Sequence, residues 1–302
     1  MDALTRVLDL ARMQGVPDLR CQLGGAYQID HDDMPTGIAP FHLVLSGEVD
    51  MELPGVAPMR LRAGDLVVLP HGRSHRLRDP HGKGVPSAIR TETDGAMPVR
   101  RNDAGVELDL LCGRVTLDPA MARWLFASLP DAIHVNLAAA HGMGALAGIV
   151  AILRDEVARQ PPGAISIVTA LTQTLFVFAL REHLEGAQLA PSFLALLGDP
   201  RLARAVTAML REPEREWSVA ALAELAAMSR ATFARHFEAK ARMSPHETLT
   251  LLRMQLAGDL LRRTSLTAGA VADRVGYRSE SAFGKAFTRV MGFTPARYRR
   301  EA

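Results

Sequence analysis

The last third of the chain contains a two-copy repeat, which constrains the fold more than any other feature of the sequence. Residues 221–249 align with residues 271–299 at a spacing of 50 positions. The equivalent residues are Ser229 and Ser279, Phe233 and Phe283, Arg235 and Lys285, Phe237 and Phe287, and Pro245 and Pro295. Repetition of the same residue types at the same spacing indicates one supersecondary motif built twice.

Each copy predicts two short helices joined by a turn. Ser229 and Ser279 suit N-cap positions, because a serine hydroxyl accepts a hydrogen bond from an exposed amide of the first helical turn. The two phenylalanines of each copy stand four residues apart, which places both rings on one face of the second helix. Polar residues are left on the opposite face. This pattern is typical of a helix-turn-helix, whose second helix enters the major groove of DNA.

Residues 200–300 resemble the paired helix-turn-helix domain of AraC/XylS-family transcription regulators. The resemblance rests on the closing segment GYRSESAFGKAFTRVMGFTPARYR. Its matching residues are Gly276, Tyr277, Phe283, Phe287, Gly292, Pro295 and Tyr298. The resemblance implies that a middle helix, from about Pro245 to Arg263, holds two reading helices on one face of promoter DNA, roughly 34 Å apart.

Carried over by position, the DNA-reading residues are Arg230, Ala231, Thr232, Ala234, Arg235, Arg278, Glu280, Ser281, Ala282 and Lys285. We expect Arg235 and Lys285 to contact bases, because both can donate to guanine, and Arg230 and Arg278 to contact phosphates. Ala231 and Ala234 replace larger side chains of many relatives. Gly284 lies inside the second reading helix, where glycine costs about 1 kcal/mol relative to alanine.

The charge distribution also separates the C-terminal third from the rest. Residues 200–302 hold 18 Lys and Arg against 10 Asp and Glu, a formal charge of +8, whereas residues 1–199 hold 17 against 23, or −6. A basic module joined to an acidic one indicates that only the C-terminal part meets a polyanion. We predict a sensory β domain over residues 1–118, a helical segment over 119–198 and a DNA-binding domain over 199–302.

The N-terminal part shows the pattern of an antiparallel β domain. From Leu19 to Asp118, short segments with alternating or β-branched apolar residues are separated by Gly and Pro. A polar segment from Asp79 to Gly105 interrupts them, and unpatterned chain of that length is usually mobile or functional. The helices predicted after Pro119 carry broad apolar faces, which either cover the β core or form a homodimer interface.

The segment GDLVVLPHGRSH, from Gly64 to His75, fits the second cupin motif. The first motif is not recognisable; in its place are His31 and His42. Three imidazoles from His31, His42 and His75 could bind a metal ion in a barrel interior. The interpretation favoured by the missing motif is that they form hydrogen bonds or line an organic-ligand pocket, with no cofactor required. The fold class is therefore predicted as α+β, with a cupin-like antiparallel β-barrel, then helices, then an all-α double helix-turn-helix domain.

The two cysteines, Cys21 and Cys112, lie in the first and last predicted strands. They are either small buried hydrophobes or a redox pair, in which oxidation of Cys21 to a sulfenic acid leads to a disulfide with Cys112. The segments MDALTRVLDL, LRCQLGG and MSRATFARHF are similar to the reactive-chlorine-responsive activators of the AraC family. That resemblance implies sensing by cysteine oxidation, first at Cys21 and then at Cys112.

The leading hypothesis is a cytoplasmic one-component transcription regulator, an activator, with double-stranded promoter DNA and RNA polymerase as partners and a homodimer as its possible assembly. Neither the charged N-terminal segment nor the apolar run Met143–Leu153 predicts a signal peptide or a membrane span. A regulator that responds to an organic ligand or a metal is the alternative. A cupin-type metalloenzyme would need the missing first motif, and a cysteine methyl-acceptor repair protein would need a zinc-cysteine cluster that two cysteines cannot form. We therefore expect no enzymatic activity.

Overall fold

The computed structural model of the protein describes residues 2–81, 84–93, 95–137, 143–186 and 189–300. Its contacts divide the chain into two compact units. The β unit comprises Met13–Pro119 and Leu129–Gly186, and the helical unit comprises Met1–Arg12, Ala120–Ser128 and Ala187–Ala302. Each unit has its own buried core and is described by itself.

The β unit contains two sheets. Its strands are β1 (Gln14–Leu23), β2 (Gln28–His31), β3 (Ile38–Ser46), β4 (Glu48–Glu52), β5 (Met59–Arg62), β6 (Asp65–Val68), β7 (His75–Arg78), β8 (Arg90–Glu92), β9 (Val99–Arg101), β10 (Leu108–Thr116) and β11 (Ile133–Asn136). The larger sheet has the order β11-β6-β3-β10-β1-β9-β8, and the smaller has the order β2-β7-β4-β5. Apolar side chains of both sheets meet in one core. The predicted antiparallel β domain is confirmed, apart from the parallel pair β1–β9.

The polar segment from Asp79 to Gly105 is more ordered than its sequence pattern predicts. It contributes two strands: β9 pairs in parallel with β1, and β8 pairs with β9. Arg100 lies opposite Cys21 in this pairing. The sequence shows no strand pattern there because β9 has only three residues, of which one alone, Val99, is buried and apolar.

Two long helices, α3 (Met143–Arg159) and α4 (Ala164–Gly186), complete the β unit. The helix α4 packs on β1 and on α3. It comes close to β1 at Gly15, where a Cβ atom would lie 3.0 Å from the backbone nitrogen of Gln173. One face of the pair thus covers the sheet, as predicted. Ile152 and Ile167 remain 50% and 41% exposed, so the homodimer interface stays a prediction.

One helical segment, Ala164–Leu184, is long and apolar enough to cross a membrane by length and composition. The apolar run that we singled out in the sequence, Met143–Leu153, is not this one. Of an apolar stretch of 18 residues within this helix, 39% is buried inside the unit. Because the core helix of a globular domain meets the same criterion, the finding is weak evidence for a membrane span.

The helical unit is built from ten helices within the described residues: α1 (Ala3–Leu10), α2 (Pro119–Phe126), α5 (Phe193–Leu197), α6 (Pro200–Arg211), α7 (Val219–Leu225), α8 (Arg230–Ala241), α9 (Pro245–Arg263), α10 (Ala268–Arg274), α11 (Glu280–Met291) and α12 (Pro295–Arg300). The helix α9 has the bounds that the family resemblance implied. It begins with a capping box, in which Ser244 and Glu247 satisfy each other's backbone amides.

The units do not follow the predicted boundaries at 118/119 and 198/199. The helices α1 and α2 pack in the helical unit, and so does α5, which precedes the predicted boundary. Trp124 of α2 and Phe193 of α5 have ring centroids 3.7 Å apart. Asp199, placed at the boundary by the sequence, caps α6 and is hydrogen-bonded to His236 Nε2 of α8 at 2.8 Å. These contacts are between residues distant in sequence, so the local pattern did not reveal them.

Candidate nucleic-acid interface and sensor cluster

The two predicted reading helices, α8 and α11, are built in the same way. Ser229 accepts a hydrogen bond from the amide of Thr232 at 3.2 Å, and Ser279 accepts one from the amide of Ala282 at 3.1 Å. Both predicted N-caps are therefore confirmed. From the first residue to the twelfth, the sequence of buried, half-buried and exposed positions is the same in both helices.

The phenylalanines hold both helices on the core. Phe233 and Phe237 have ring centroids 5.4 Å apart, and Phe283 and Phe287 have ring centroids 5.5 Å apart; the four side chains are fully buried. Because the rings occupy the inner face, they fix which residues point outward. The outer faces carry the predicted DNA-reading residues.

All but one of these residues are exposed. The exposed ones are Arg230, Ala231, Thr232, Arg235, Arg278, Glu280, Ser281, Ala282 and Lys285, whereas Ala234 is half-buried. Arg278 forms an ion pair with Glu216 on the surface of the same unit. The Ser229 hydroxyl donates a hydrogen bond to the Thr232 hydroxyl at 2.9 Å. Arg235 and Lys285 occupy equivalent exposed positions, so their cationic groups are free to reach a groove.

The first helices of the two copies align at a spacing of 49 positions, whereas the second helices align at a spacing of 50. Ser218 caps α7 and Thr267 caps α10, which are 49 positions apart, whereas Ser229 and Ser279 are 50 apart. The turn of the second copy is therefore one residue longer. An alignment fixed on the phenylalanines of the second helix could not detect an insertion before it.

A second group of predicted residues converges inside the β unit. His31 and His75 are directly opposite each other on β2 and β7, with stacked rings 4.4 Å apart. His42 lies on β3 of the other sheet, with its ring edge-on to both. The ligand nitrogens of the three histidines lie within 4.8 Å of one another. We call this group the histidine cluster.

The histidine cluster is in contact with one of the two cysteines. Cys112 is directly opposite His42 in the β10–β3 pairing, and its Sγ lies 3.2 Å from His42 Nδ1. Cys112 and Cys21 are diagonal neighbours across the paired strands β10 and β1. Both cysteines belong to the buried core, with 6% and 1% of their surface exposed. Sequence reasoning named all five residues but did not connect the histidines to the cysteines.

The environment keeps the histidines neutral at neutral pH. Burial, followed by the charges of His75 and Arg100, lowers the pKa of His31 to about 4. Burial also lowers the pKa of His75, and burial with the two neighbouring histidines lowers the pKa of His42 well below its usual value. Neutral imidazoles each have one free nitrogen lone pair, which is the form that binds metal ions.

Hydrogen bonds then fix the tautomers. His75 Nδ1–H donates to the carbonyl of Arg73 at 2.9 Å, which leaves its Nε2 unprotonated. That atom lies 2.7 Å from His42 Nε2, so His42 Nε2–H donates to it. His42 Nδ1 is then the acceptor, and the Cys112 thiol is its donor. His31 Nδ1 is buried and has no hydrogen-bond partner in the structure.

The cysteines differ in their surroundings. The neighbouring Cys21 thiol, followed by burial, raises the pKa of the Cys112 thiol well above its usual value; Arg100 acts in the opposite direction. Arg20, the neighbour of Cys21 in sequence, points away and forms a buried ion pair with Asp109, with two contacts of 2.7 and 2.5 Å. The cation beside the cysteines is thus Arg100, which sequence reasoning missed because it lies in the polar segment.

The β unit also has an apolar cavity beneath α4. It is lined by Phe41, Leu43, Leu66, Val68, Val115, Thr172, Leu175 and Phe176, and its volume is about 10 Å³. That volume is close to the minimum for one water molecule. This cavity would therefore have to open before it could hold an organic effector.

Known proteins resemble the chain over its whole length. The family described as "Cupin" matches residues 2–185, and "Helix-turn-helix domain" matches residues 222–301. An "Uncharacterized HTH-type transcriptional regulator" of Haemophilus influenzae is 31% identical over 99% of both chains. A "Putative AraC-like transcription regulator" of Streptomyces lividans is 34% identical over 99% of this chain and 98% of its own. The chain belongs to the AraC-like transcription regulators.

A third member of this AraC-like family is the "RCS-specific HTH-type transcriptional activator RclR" of Escherichia coli strain K12. It is 32% identical over 99% of this chain and 97% of its own. The predicted resemblance to AraC-family regulators with a cupin domain is confirmed, as is the predicted fold class. The chain is a transcription regulator, as its relatives are, and the expectation that it is not an enzyme agrees with them. Its AraC-type helix-turn-helix domain binds DNA.

Proposed function

We propose that the chain is a cytoplasmic one-component transcription activator, in which oxidation of the Cys21–Cys112 pair changes how the helical unit binds promoter DNA. The observation that carries the proposal is the position of the two cysteines, which are diagonal neighbours on β1 and β10 in one buried core of the cupin domain. RNA polymerase is the partner that activation requires. The description of the Escherichia coli relative as an "RCS-specific" activator supports the proposal.

The chemistry is a two-electron oxidation of two thiols. Hypochlorous acid takes two electrons from Cys21, whose thiol becomes a sulfenyl species, and Cys112 then attacks that sulfur. An S–S bond forms, both S–H bonds break, and the oxidant is reduced to chloride and water with release of one proton. Cys112 acts second because its raised pKa keeps it a thiol until Cys21 is oxidised; His42 Nδ1, 3.2 Å from its Sγ, then takes the proton as Sγ attacks.

The register of the strands connects this chemistry to a movement. Cys112 is paired with Leu19, and Cys21 is paired with Leu110, so the two cysteines are diagonal neighbours. Diagonal Cα atoms are typically about 7–8 Å apart, whereas a disulfide requires about 4.4–6.8 Å. A bond between Cys21 and Cys112 therefore pulls β1 and β10 along each other. Strain of this kind favours a domain that switches between two conformations over one that the disulfide merely stabilises.

The chain itself provides the connection to DNA binding. The strand β1 begins only a few residues after α1, and α1 packs against α6 and α9 of the helical unit. Arg12, in the segment between α1 and β1, also contacts Asp259 of α9 at 3.5 Å. The helix α9 lies between the two reading helices in the chain. A shift of β1 would therefore act on the element that sets their spacing.

The test is anisotropy binding to labelled DNA from upstream of the chain's own gene, at one salt concentration, before and after stoichiometric hypochlorite. For the wild type we expect the affinity to change by about 5- to 150-fold, the usual range for coupling between sites. Cys21→Ser and Cys112→Ser should remain at the reduced value. The double variant is the matched control, because it retains all 13 methionines. An equal response of wild type and double variant would refute the proposal.

A further inference from the structure

The histidine cluster has the features of a metal site, although the first cupin motif is missing. Three imidazoles converge from two sheets, with their ligand nitrogens within 4.8 Å of one another. His42 and His75 are 1% and 4% exposed. The cluster lies inside the core, where a buried polar atom without a partner is unfavourable.

His31 supplies the second observation. Its Nδ1 is buried and has no hydrogen-bond partner in the structure. A buried nitrogen without a partner is rare, and it requires an explanation such as a bound ion. A metal ion would satisfy this atom, and it would also take the lone pair of His75 Nε2, whose ring is already oriented by the carbonyl of Arg73.

We propose that His31, His42 and His75 bind one late first-row metal ion of the zinc or cuprous class, and that Cys112 is a positioning residue behind His42. Ligand nitrogens around such an ion, at bonds of about 2.0–2.1 Å, lie roughly 3.3 Å apart in tetrahedral geometry. His42 and His75 must separate slightly from their 2.7 Å contact. His42 must also shift its proton from Nε2 to Nδ1 before it binds through Nε2, and Cys112 Sγ then accepts a hydrogen bond from Nδ1–H.

The position of Cys112 couples this site to the cysteine pair. Its Sγ is the hydrogen-bond partner of His42 Nδ1, at 3.2 Å. A disulfide with Cys21 would draw Sγ towards β1 and away from His42 Nδ1. His42 would then lose the group that orients its ring, and outer partners of this kind typically change metal affinity by about 10- to 100-fold. This coupling rests on the proposed function, whereas the metal site itself does not.

The experiment is a metal titration of the full-length protein, purified without a histidine tag, reduced and stripped with chelator. Zn²⁺ and Cu⁺ are added separately in competition with a chromophoric chelator. One equivalent of either ion should bind, and His31→Ala and His75→Gln should each weaken its binding at least about 10-fold. His81→Ala is the matched control, because His81 lies in the same unit outside the cluster and is exposed. Circular dichroism establishes that each variant is folded.

The outcomes separate the two proposals. If neither ion binds, or if His81→Ala weakens binding as much as His31→Ala, the metal site is refuted, while the response to hypochlorite is unaffected by that result. If metal binds but the affinity for DNA does not change after hypochlorite, the proposed function is refuted and the metal site is not. Equal metal affinity of the reduced protein and its disulfide form would refute the coupling through Cys112. An affinity lowered by oxidation and by Cys112→Ala would support it.

Discussion

The two helix-turn-helix copies have the same reading helices but different backbones around them. In the first copy, Ala227 and Arg242 adopt left-handed conformations, with φ of 52° and 55°. In the second copy, glycines with φ of 76° and 80° stand at the corresponding helix ends, Gly276 and Gly292. A left-handed residue other than glycine is about 1–2 kcal/mol less favourable. The first copy therefore has strained helix ends, and the second has relaxed ones.

Inside the reading helices the difference is reversed, because here the second copy contains the less favourable residue. The second copy has Gly284 where the first has Ala234. Glycine raises the conformational entropy that a helix loses on folding, so α11 is less rigid than α8. A rigid reading helix loses less entropy when it binds DNA. The comparison teaches that the first copy is the better organised reader, and that equal burial does not mean equal contribution to specificity.

The largest effects on stability should come from substitutions in the phenylalanine core that both copies share. Phe237→Ala and Phe287→Ala each remove a fully buried ring from an equivalent core position. We expect each to lower the free energy of unfolding by about 3–5 kcal/mol, measured by urea denaturation. Similar losses would confirm that both copies are held in the same way. If one variant were nearly as stable as the wild type, the equivalence of the two cores would be wrong.

The reading faces should differ in DNA binding. Arg235→Ala should weaken binding to the cognate site by about 1–3 kcal/mol and change binding to random DNA little, because a base contact is lost. Lys285→Ala should have a smaller effect, since lysine is a less directional donor and α11 is less rigid. Anisotropy titrations at one salt concentration measure both. A larger effect of Lys285→Ala would reverse the comparison, and equal losses on both DNAs would show that Arg235 contacts phosphate.

The smallest effect should come from exchanging the two small residues. Gly284→Ala should stabilise the protein by about 1 kcal/mol, and Ala234→Gly should destabilise it by a similar amount. A Cβ atom at Gly284 would meet no atom within 4 Å, so no clash opposes the gain. Thermal denaturation of the two variants measures the difference. A destabilised Gly284→Ala would mean that glycine is needed there for another reason.

Much of the helical unit could be predicted from its sequence. The helix-turn-helix pattern depends on local spacing, which is why both N-cap serines were found, whereas the bounds of α9 came from the family resemblance. The extra residue in the second turn was missed because an alignment on phenylalanines does not measure the turn before them. The contacts of Trp124 with Phe193, and of Asp199 with His236, join distant segments, and local pattern contains no sign of them.

The β unit was harder to predict because its cluster is made by strand register. Nothing in the spacing of residues 31, 42 and 75 shows that β2 and β7 place two histidines opposite each other, or that a second sheet places His42 against both. The missing first motif pointed instead to histidines without a metal. Arg100 was missed since three residues are too few to show a strand pattern.

The central claim is that oxidation of the Cys21–Cys112 pair is the input of the regulator. Mass spectrometry of the full-length protein after one equivalent of hypochlorite, with digestion under non-reducing conditions, tests it most directly. The account predicts loss of two hydrogens from the intact mass and one peptide that joins the segments containing Cys21 and Cys112. Intact thiols in protein whose DNA affinity has changed would contradict it.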